Sequence, residues 1–166
     1  MRPRNDAYAE HHSELNNVSH EGSHSWCKHH LRCGNRSCGR THAKRKKKAT
    51  VVTFYNEALN DKDAEAAIAL MGPTYTQHNA HIADGKEGFR QFMAAFKQRY
   101  PQSHSRIVRV FADGDYVILH VHLIREPGTR GEAVMDIFRL DQGKIVEHWD
   151  VLQPIPENIP HSNTMF

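Results

Sequence analysis

The sequence predicts an α+β fold in which helices come first and the strands of a sheet come last. Apolar residues recur at helical spacing between residues 51 and 96, the period changes to two from Ser105 onward, and the late strands are joined by short turns. Strands with such connections form one antiparallel sheet, and amphipathic helices pack against one of its faces. We therefore expect a curved sheet wrapped over helices, with a small-molecule cleft between the two layers.

Three helices are predicted before the sheet. The first is indicated by apolar residues at Val51, Val52, Phe54, Tyr55, Ala58 and Leu59. A second helix, over residues 64–71, follows an aspartate N-cap and is stopped by Gly72-Pro73. Residues 75–79 form a short strand, after which a third helix begins at Asp84 and ends before Pro101.

Four strands are predicted after the helices, over residues 106–111, 116–124, 132–140 and 144–153. In the last hairpin, Gly143 suits the left-handed residue of a three-residue loop. This register places Asp136 opposite His148, with Asp150 on the same face. A two-residue loop would instead place Asp136 beside Trp149 and separate it from Asp150.

The first 48 residues differ from the rest in charge and composition. They carry 11 lysines and arginines against 4 aspartates and glutamates, whereas residues 49–166 carry 11 against 15, so the basic pI of about 8.8 belongs to the N-terminal segment. Few apolar residues are available there to offset the entropy of ordering. We therefore predict a basic, Cys- and His-containing disordered tail over residues 1–48 and one folded domain over residues 49–166.

Two further interpretations of the tail stay open. Cys27, Cys33 and Cys38 lie near several histidines, but their spacing lacks the paired C-x2-C knuckles typical of zinc sites, so no metal site is predicted. The basic run over residues 44–48 could bind nucleic acid weakly, although a solvated linker is the plainer interpretation. No apolar run predicts a membrane span or a secretory signal, which makes the cytoplasm the expected location.

Two aspartates of the last hairpin are the candidate catalytic residues. Asp136 and Asp150 would share an otherwise apolar face with His148, and a carboxylate that loses hydration in such a place gains proton affinity. Two such groups can divide the roles of acid and base. In the structural alternative, Asp136 pairs with an arginine such as Arg106 and Asp150 merely ends a strand.

Histidines and their neighbours supply the remaining candidates. His78 and Asn79 end a strand just before a loop and a helix, a position that tends to rim a cleft, although Asn79 could be only a turn residue. His120 and His122 share one face of a strand whose opposite face is equally apolar, so the period cannot decide which face is the core. We predict catalytic roles for Asp150, Asp136 and His78, and substrate contacts for Asn79, His120, His122, His148 and Trp149.

Four segments carry a resemblance to a known family: residues 75–79 (YTQHN), 83–89 (ADGKEGF), 136–139 (DIFR) and 143–151 (GKIVEHWDV). Together they resemble the SnoaL-like polyketide cyclase group of the nuclear transport factor 2-like superfamily, over essentially all of residues 49–166. The resemblance implies a cone-shaped, curved antiparallel sheet closed by three N-terminal helices, a cystatin-like fold. It also implies a homodimer and a pocket that takes a small-molecule substrate without a cofactor.

The resemblance also implies a chemistry. Polyketide cyclases of this group close a ring by intramolecular aldol condensation, in which an acidic residue on the last strand removes a proton next to a carbonyl. Asp150 matches that position, but Asp136 stands where the cyclases have a histidine. This departure moves the pocket toward the paired carboxylates of related epoxide hydrolases, whose complete set of Asp, Arg and Asp is not evident here.

The leading hypothesis is a SnoaL-like small-molecule enzyme that uses a pocket carboxylate as general acid or base. Its reaction would be aldol-type cyclisation, isomerisation or hydrolysis of a carbonyl or epoxide compound. Asp150 would act as the base, while Asp136 and His78 orient the substrate or stabilise developing oxyanion charge. The alternative is a non-catalytic ligand-binding or assembly module of the same fold, since a fold alone does not choose between them.

Overall fold

The computed structural model describes the backbone of residues 35–166 and the side chains of residues 39–166. In chain order the elements are α1 (Asn35–Tyr55), a π-helical turn (Asn56–Asn60), α2 (Ala64–Ile68), β1 (Met71–Gln77), α3 (Gly85–Arg99), β2 (His104–Asp113), β3 (Tyr116–Ile124), β4 (Glu132–Asp141) and β5 (Lys144–Pro154). This order confirms the predicted α+β fold, in which the helices come before the four antiparallel strands of one curved sheet. The predictions for residues 1–34, including those for two of the three cysteines, lie outside the described residues.

Helix α1 begins well before the predicted domain boundary. It starts at Asn35, so residues 35–48 are helical instead of belonging to a disordered tail. Hydrophobic periodicity could not reveal this segment, because polar contacts attach it to the β2–β3 hairpin. Lys44 and Lys47 pair with Asp113 and Asp115 at 3.2 and 2.7 Å, and Lys48 Nζ donates to the Val110 carbonyl at 2.9 Å.

No helix in the described part of the chain is long and apolar enough to cross a membrane.

The five strands form one sheet in the order β1-β5-β4-β3-β2. Strands β2 to β5 are antiparallel neighbours as predicted, and β1 joins the edge of the sheet parallel to β5. β1 also begins at Met71 instead of residue 75, and α2 ends correspondingly early at Ile68. The strand can include Pro73 because it lies at the edge of the sheet, where a missing backbone N–H is tolerated.

The turn between β4 and β5 is shorter than the sequence predicted. Gln142 and Gly143 have positive φ angles of 47° and 79°, the conformation of a two-residue hairpin turn, and Asp141 pairs with Lys144. The pairing then shifts where β4 passes Arg139, because β5 contains one extra residue at this point. The extra residue is a β-bulge, which the alternating pattern of the sequence did not reveal.

The bulge decides which side chains meet across the hairpin. Asp136 lies opposite Asp150, and the predicted pairing of Asp136 with His148 is therefore wrong. A two-residue turn alone would have separated the two aspartates onto opposite faces. The bulge shifts the register by one more residue, and both carboxylates point to the same face as predicted.

The inner face of the sheet carries the hydrophobic core. On β3 the inward residues are Val117, Leu119, Val121 and Leu123, none of them more than 4% exposed, so this is the core face that the sequence left undecided. Helices α1 and α3 pack over it: the ring centre of Phe54 lies 5.5 Å from that of Phe89 and 5.6 Å from that of Phe138. The sheet and these helices enclose the cavity that contains the candidate site.

Candidate functional site

A cavity of about 440 Å³ lies between the inner face of the sheet and helices α1 and α3. Most of its wall is apolar and aromatic, including Phe54, Leu59, Phe89, Phe92, Phe96 and Leu152. Its polar residues include Asn79, Asp136, His148 and Asp150, together with Arg125, directly after β3, and Glu132, at the start of β4. A concave, largely apolar site with a few converging polar groups is the usual form of a small-molecule site.

Two carboxylates and an imidazole converge on this cavity. One polar atom each of Asp136, His148 and Asp150 lies within 4.8 Å of the others. They meet because Asp136 and Asp150 are cross-strand partners, while His148 is two residues before Asp150 and so points the same way. Asp136 and His148 are only 4% and 7% exposed. The cluster is therefore held inside the protein, with access to the cavity.

Both ring nitrogens of His148 are hydrogen-bonded. Nε2 lies 3.1 Å from Asp136 Oδ1, and Nδ1 lies 2.9 Å from Gln77 Oε1. The Gln77 oxygen also accepts from the Asn79 backbone N–H, and the Gln77 amide nitrogen donates to the Tyr75 hydroxyl. These partners orient the Gln77 oxygen toward the ring, so Nδ1 carries a proton. A second proton can then lie either on Nε2 or on the Asp136 carboxyl.

Burial favours the carboxyl as the holder of that proton. The loss of hydration raises the pKa of Asp136 above its usual value, while the bond to His148 opposes this shift in part. The other oxygen, Oδ2, is buried and has no partner in hydrogen-bonding geometry among the described residues, although the Tyr55 hydroxyl is close enough to interact with the carboxyl. A buried polar atom needs a partner, and the Tyr55 hydroxyl is the group placed to supply one.

Asp150 is held by a different partner. The Asn79 side-chain amide donates to both carboxylate oxygens, at 2.8 and 2.7 Å. Asn79 is itself fixed, because its own side-chain oxygen accepts from the His81 backbone N–H at 2.8 Å. Asp150 is half-buried and lines the cavity. Its carboxylate is therefore oriented but remains accessible to a ligand.

The SnoaL-like domain family model matches residues 51–148, more than half of the chain. The chain belongs to the SnoaL-like family. The matched segment includes Asp136 and His148 and ends two residues before Asp150. No curated protein matches the chain. The homodimer and the cofactor-free pocket that the resemblance implied stay predictions.

Solved structures share the fold of this family member. An uncharacterised cystatin-fold protein from Novosphingobium aromaticivorans has a TM-score of 0.56 at 24% identity, over 63% of this chain and 97% of its own. A putative polyketide cyclase from Acidithiobacillus ferrooxidans has 0.56 at 20% identity, over 64% and 87%. The putative hydroxylase AclR from Streptomyces galilaeus has 0.57 at 18% identity, over 68% and 82%. These likenesses support the cone-shaped fold.

Tyr55, Tyr75 and Gln77 are among the residues of this cavity that were not predicted as site residues. Tyr55 and Tyr75 are 3% and 5% exposed and line the cavity, and burial raises the pKa of both hydroxyls, so they are neutral donors. Gln77 orients both His148 and Asn79. A signal was present in the sequence: Tyr75, Gln77 and Asn79 alternate along the strand predicted over residues 75–79 and would therefore share a face.

His78 and Trp149 lie outside the cavity wall. Trp149 follows His148 by one position on β5, so its side chain points to the opposite face, and His78, directly after β1, lies against it. The His78 ring stacks on Trp149 at 4.6 Å between ring centres, and His78 Nε2 lies 2.9 Å from Glu147 Oε1. The predicted oxyanion role of His78 and the predicted substrate contact of Trp149 are not supported by this placement.

His120 and His122 also lie on the outer face of the sheet. His120 Nδ1 lies 2.9 Å from an Arg109 nitrogen, and His122 Nε2 lies 2.7 Å from the Arg130 carbonyl. Both rings contact Phe166 near the C-terminus, at 5.2 and 4.6 Å between ring centres. The alternate residues of β3 occupy the core, so these histidines cannot reach the cavity, and their predicted contact with substrate is corrected.

The cluster of Asp136, His148 and Asp150 has the residue types and spacing that could hold a cation. Its polar atoms, however, already have partners: His148 binds Gln77 and Asp136, and Asp150 binds Asn79. A metal ion would have to displace at least one of these bonds. The hydrogen-bonded arrangement is therefore better suited to moving protons.

Proposed function

We propose that this SnoaL-like protein is an enzyme that transfers protons on a small carbonyl compound bound in its apolar cavity. The observation that carries the proposal is the convergence of Asp136, His148 and Asp150 on one wall of that cavity. A proton-transfer site needs one group that accepts a proton and another that donates one, in a place from which bulk water is largely excluded. The differing surroundings of the two aspartates provide this division.

Asp150 is the proposed base. It removes a proton from the carbon next to a substrate carbonyl: the C–H bond breaks, a new O–H bond forms on Asp150, and the electron pair moves onto the carbonyl oxygen as an enolate. Asn79 contributes by holding both carboxylate oxygens in place, which reduces the motion that must be frozen at the moment of transfer.

Asp136 is the proposed donor to the enolate oxygen. Its raised pKa favours the protonated carboxyl, and the proton that its Oδ1 shares with His148 Nε2 is the one that passes to the substrate. His148 supports it by sharing a proton through Nε2, and Tyr55 adds a neutral hydroxyl nearby. Donors arranged in advance around developing negative charge stabilise it more strongly in a dry site than in water.

The completed reaction depends on what the enolate meets next. Return of the proton from Asp150 to another carbon gives isomerisation. Attack of the enolate carbon on a second carbonyl of the same molecule forms a C–C bond and closes a ring, with the proton passing to the new alkoxide. Both outcomes start from the same abstraction, so the abstraction is the step to test.

Hydrogen–deuterium exchange tests the abstraction without knowledge of the natural substrate. The full chain is incubated in D₂O with a panel of β-diketones, β-keto esters and aryl ketones, and loss of the proton next to the carbonyl is followed by NMR. Exchange of at least one compound should be accelerated, and Asp150→Asn should lower that acceleration by about a hundredfold, within the usual range for general base catalysis.

The matched control is Asp141→Asn, which removes the same charge from an exposed position at the end of β4. It should leave the exchange rate unchanged. Unchanged exchange in Asp150→Asn would remove Asp150 from the mechanism. Saturable binding of panel members with no accelerated exchange at all would favour the non-catalytic binding module instead.

A further inference from the structure

Arg125 lies at the part of the cavity remote from the carboxylate cluster. It lines both this cavity and a neighbouring surface cleft formed by the loop between β3 and β4. The Arg125 side chain is 30% exposed, and that of its partner Glu132, which lines the same two spaces, is 22% exposed. A cation at the edge of an otherwise apolar cavity is a candidate for ligand recognition, so its surroundings matter.

The guanidinium of Arg125 is held in one orientation. Its Nε donates to Glu132 Oε2 at 2.7 Å, and its Cζ lies 5.7 Å from the ring centre of Phe96 and 5.6 Å from that of Tyr100. Stacking against aromatic rings fixes the plane of an arginine fork. Its two terminal nitrogens make no hydrogen bond within the part of the chain whose side chains are described. A fixed fork with unused donors matches a carboxylate.

We propose that Arg125 binds a carboxylate of the substrate, so that the site accepts keto acids whose carbonyl lies at the carboxylate cluster and whose acid group lies at Arg125. This inference rests on the proposed function for the reacting end of the molecule. A monoanion fits better than a phosphate, because Glu132 already offsets part of the single positive charge. The outer cleft is a poorer place for the anion, since Glu126 and Glu157 line it.

The shape of the cavity sets the length of such a substrate. Glu132 and Asp136 are four residues apart on one strand, so the two polar ends are separated by about 13 Å along β4. Between them the wall is apolar, with Val134, Leu123 and Phe96 among its residues. The part of the substrate that joins carbonyl to carboxylate is therefore hydrocarbon.

A purely structural role for Arg125 makes a different prediction. In that case the residue would only fasten α3 to the sheet, through Phe96 and Glu132, and a ligand's charge would not matter. A matched pair of probes separates the two roles. 9-Oxodecanoate has a carbonyl near one end and a carboxylate at the other, and its methyl ester differs only in losing the charge.

The experiment is calorimetric titration of the full chain with both probes. The acid should bind about tenfold more tightly than the ester, the range expected for a partly exposed charge-assisted hydrogen bond. Arg125→Gln should abolish this preference, and Arg125→Lys should retain only part of it, because lysine cannot form the fork. Arg99→Gln is the control: Arg99 also lies over the Tyr100 ring, at 5.2 Å, but does not line the cavity, so the preference should persist.

Each outcome decides the inference. Equal binding of acid and ester by the unaltered protein would overturn it, as would an acid preference that survives in Arg125→Gln. Should Arg125→Gln not fold, the comparison of probes in the unaltered protein and the Arg125→Lys variant still decide. If the acid is preferred through Arg125 but no ketone exchanges its proton, the anion site is retained and the proposed catalysis is rejected. If a ketone exchanges its proton but the acid is not preferred, the catalysis is retained and the anion site is rejected.

Discussion

The two faces of the sheet carry the same kinds of residue in opposite chemical states. On the inner face, burial raises the pKa of Asp136, which is 4% exposed and bonded to His148. On the outer face, hydrogen bonds from His78 and then from Arg139 lower the pKa of Glu147. Both acids have a histidine partner, so the partner alone does not set the direction. The Asp136–His148 pair differs because it is buried and lacks a permanently charged partner such as the Arg139 that pairs with Glu147. The Asp136–His148 pair can therefore hold a proton that is transferred to a substrate.

This comparison predicts its largest difference when the same substitution is made at His148, on the inner face, and at His120, on the outer face. His148→Gln keeps a hydrogen-bonding side chain but cannot share a proton with Asp136, and we expect the exchange of the ketone proton to slow by about a hundredfold. The same change at His120, on the outer face, should leave the rate within about twofold, because surface changes away from the site are usually small. Exchange rates measured by NMR compare the two directly. Equal losses would mean that the face of the sheet does not determine function.

The strand alternation explains how much of this site the sequence could predict. Asp150 and His148 are two residues apart, and their common face followed from the period alone. Their relation to Asp136 depended on the bulge in β5, which adds a residue without any change in the apolar pattern. The conclusion about the shared face was right, although the predicted partner was wrong.

Other parts of the molecule depended on contacts that no local pattern records. Both faces of β3 are apolar enough to form a core, and only packing against α1 and α3 decides between them. The N-terminal part of α1 is attached by lysines to a distant hairpin, so its composition resembled a tail. Arg125 likewise could be identified as a candidate ligand-binding residue only when the cavity wall and the aromatic rings around it were known.

A smaller effect is expected at the end of β1, where two adjacent residues face opposite ways. Asn79→Ala removes both hydrogen bonds to Asp150 and leaves the carboxylate free to rotate, so exchange should fall by about tenfold. His78→Ala should change the rate by less than about twofold, since it removes only the outer contacts to Glu147 and Trp149. A larger loss in His78→Ala than in Asn79→Ala would restore His78 to the site and reject the placement argued above.

The smallest expected effect concerns stability, and it separates burial from catalysis. Because the pKa of Asp136 is raised above 3.8 in the folded protein, the folded state holds this proton more tightly than the unfolded state. The free energy of unfolding therefore falls as the pH rises from the pKa of Asp136 in the unfolded state to its pKa in the folded state. Above the folded-state pKa, the whole of this loss of stability is present. Asp136→Asn removes the ionisation while its side-chain amide can still donate to His148 Nε2.

The variant should consequently gain stability relative to the unaltered protein as the pH is raised above the range in which an exposed aspartate titrates, even as its exchange activity falls. Urea unfolding at a series of pH values measures this difference. Asp141→Asn, an exposed change on the same strand, should give a curve parallel to that of the unaltered protein. A parallel curve for Asp136→Asn as well would mean that the buried carboxyl titrates normally, and a donor role for Asp136 would then lose its physical basis.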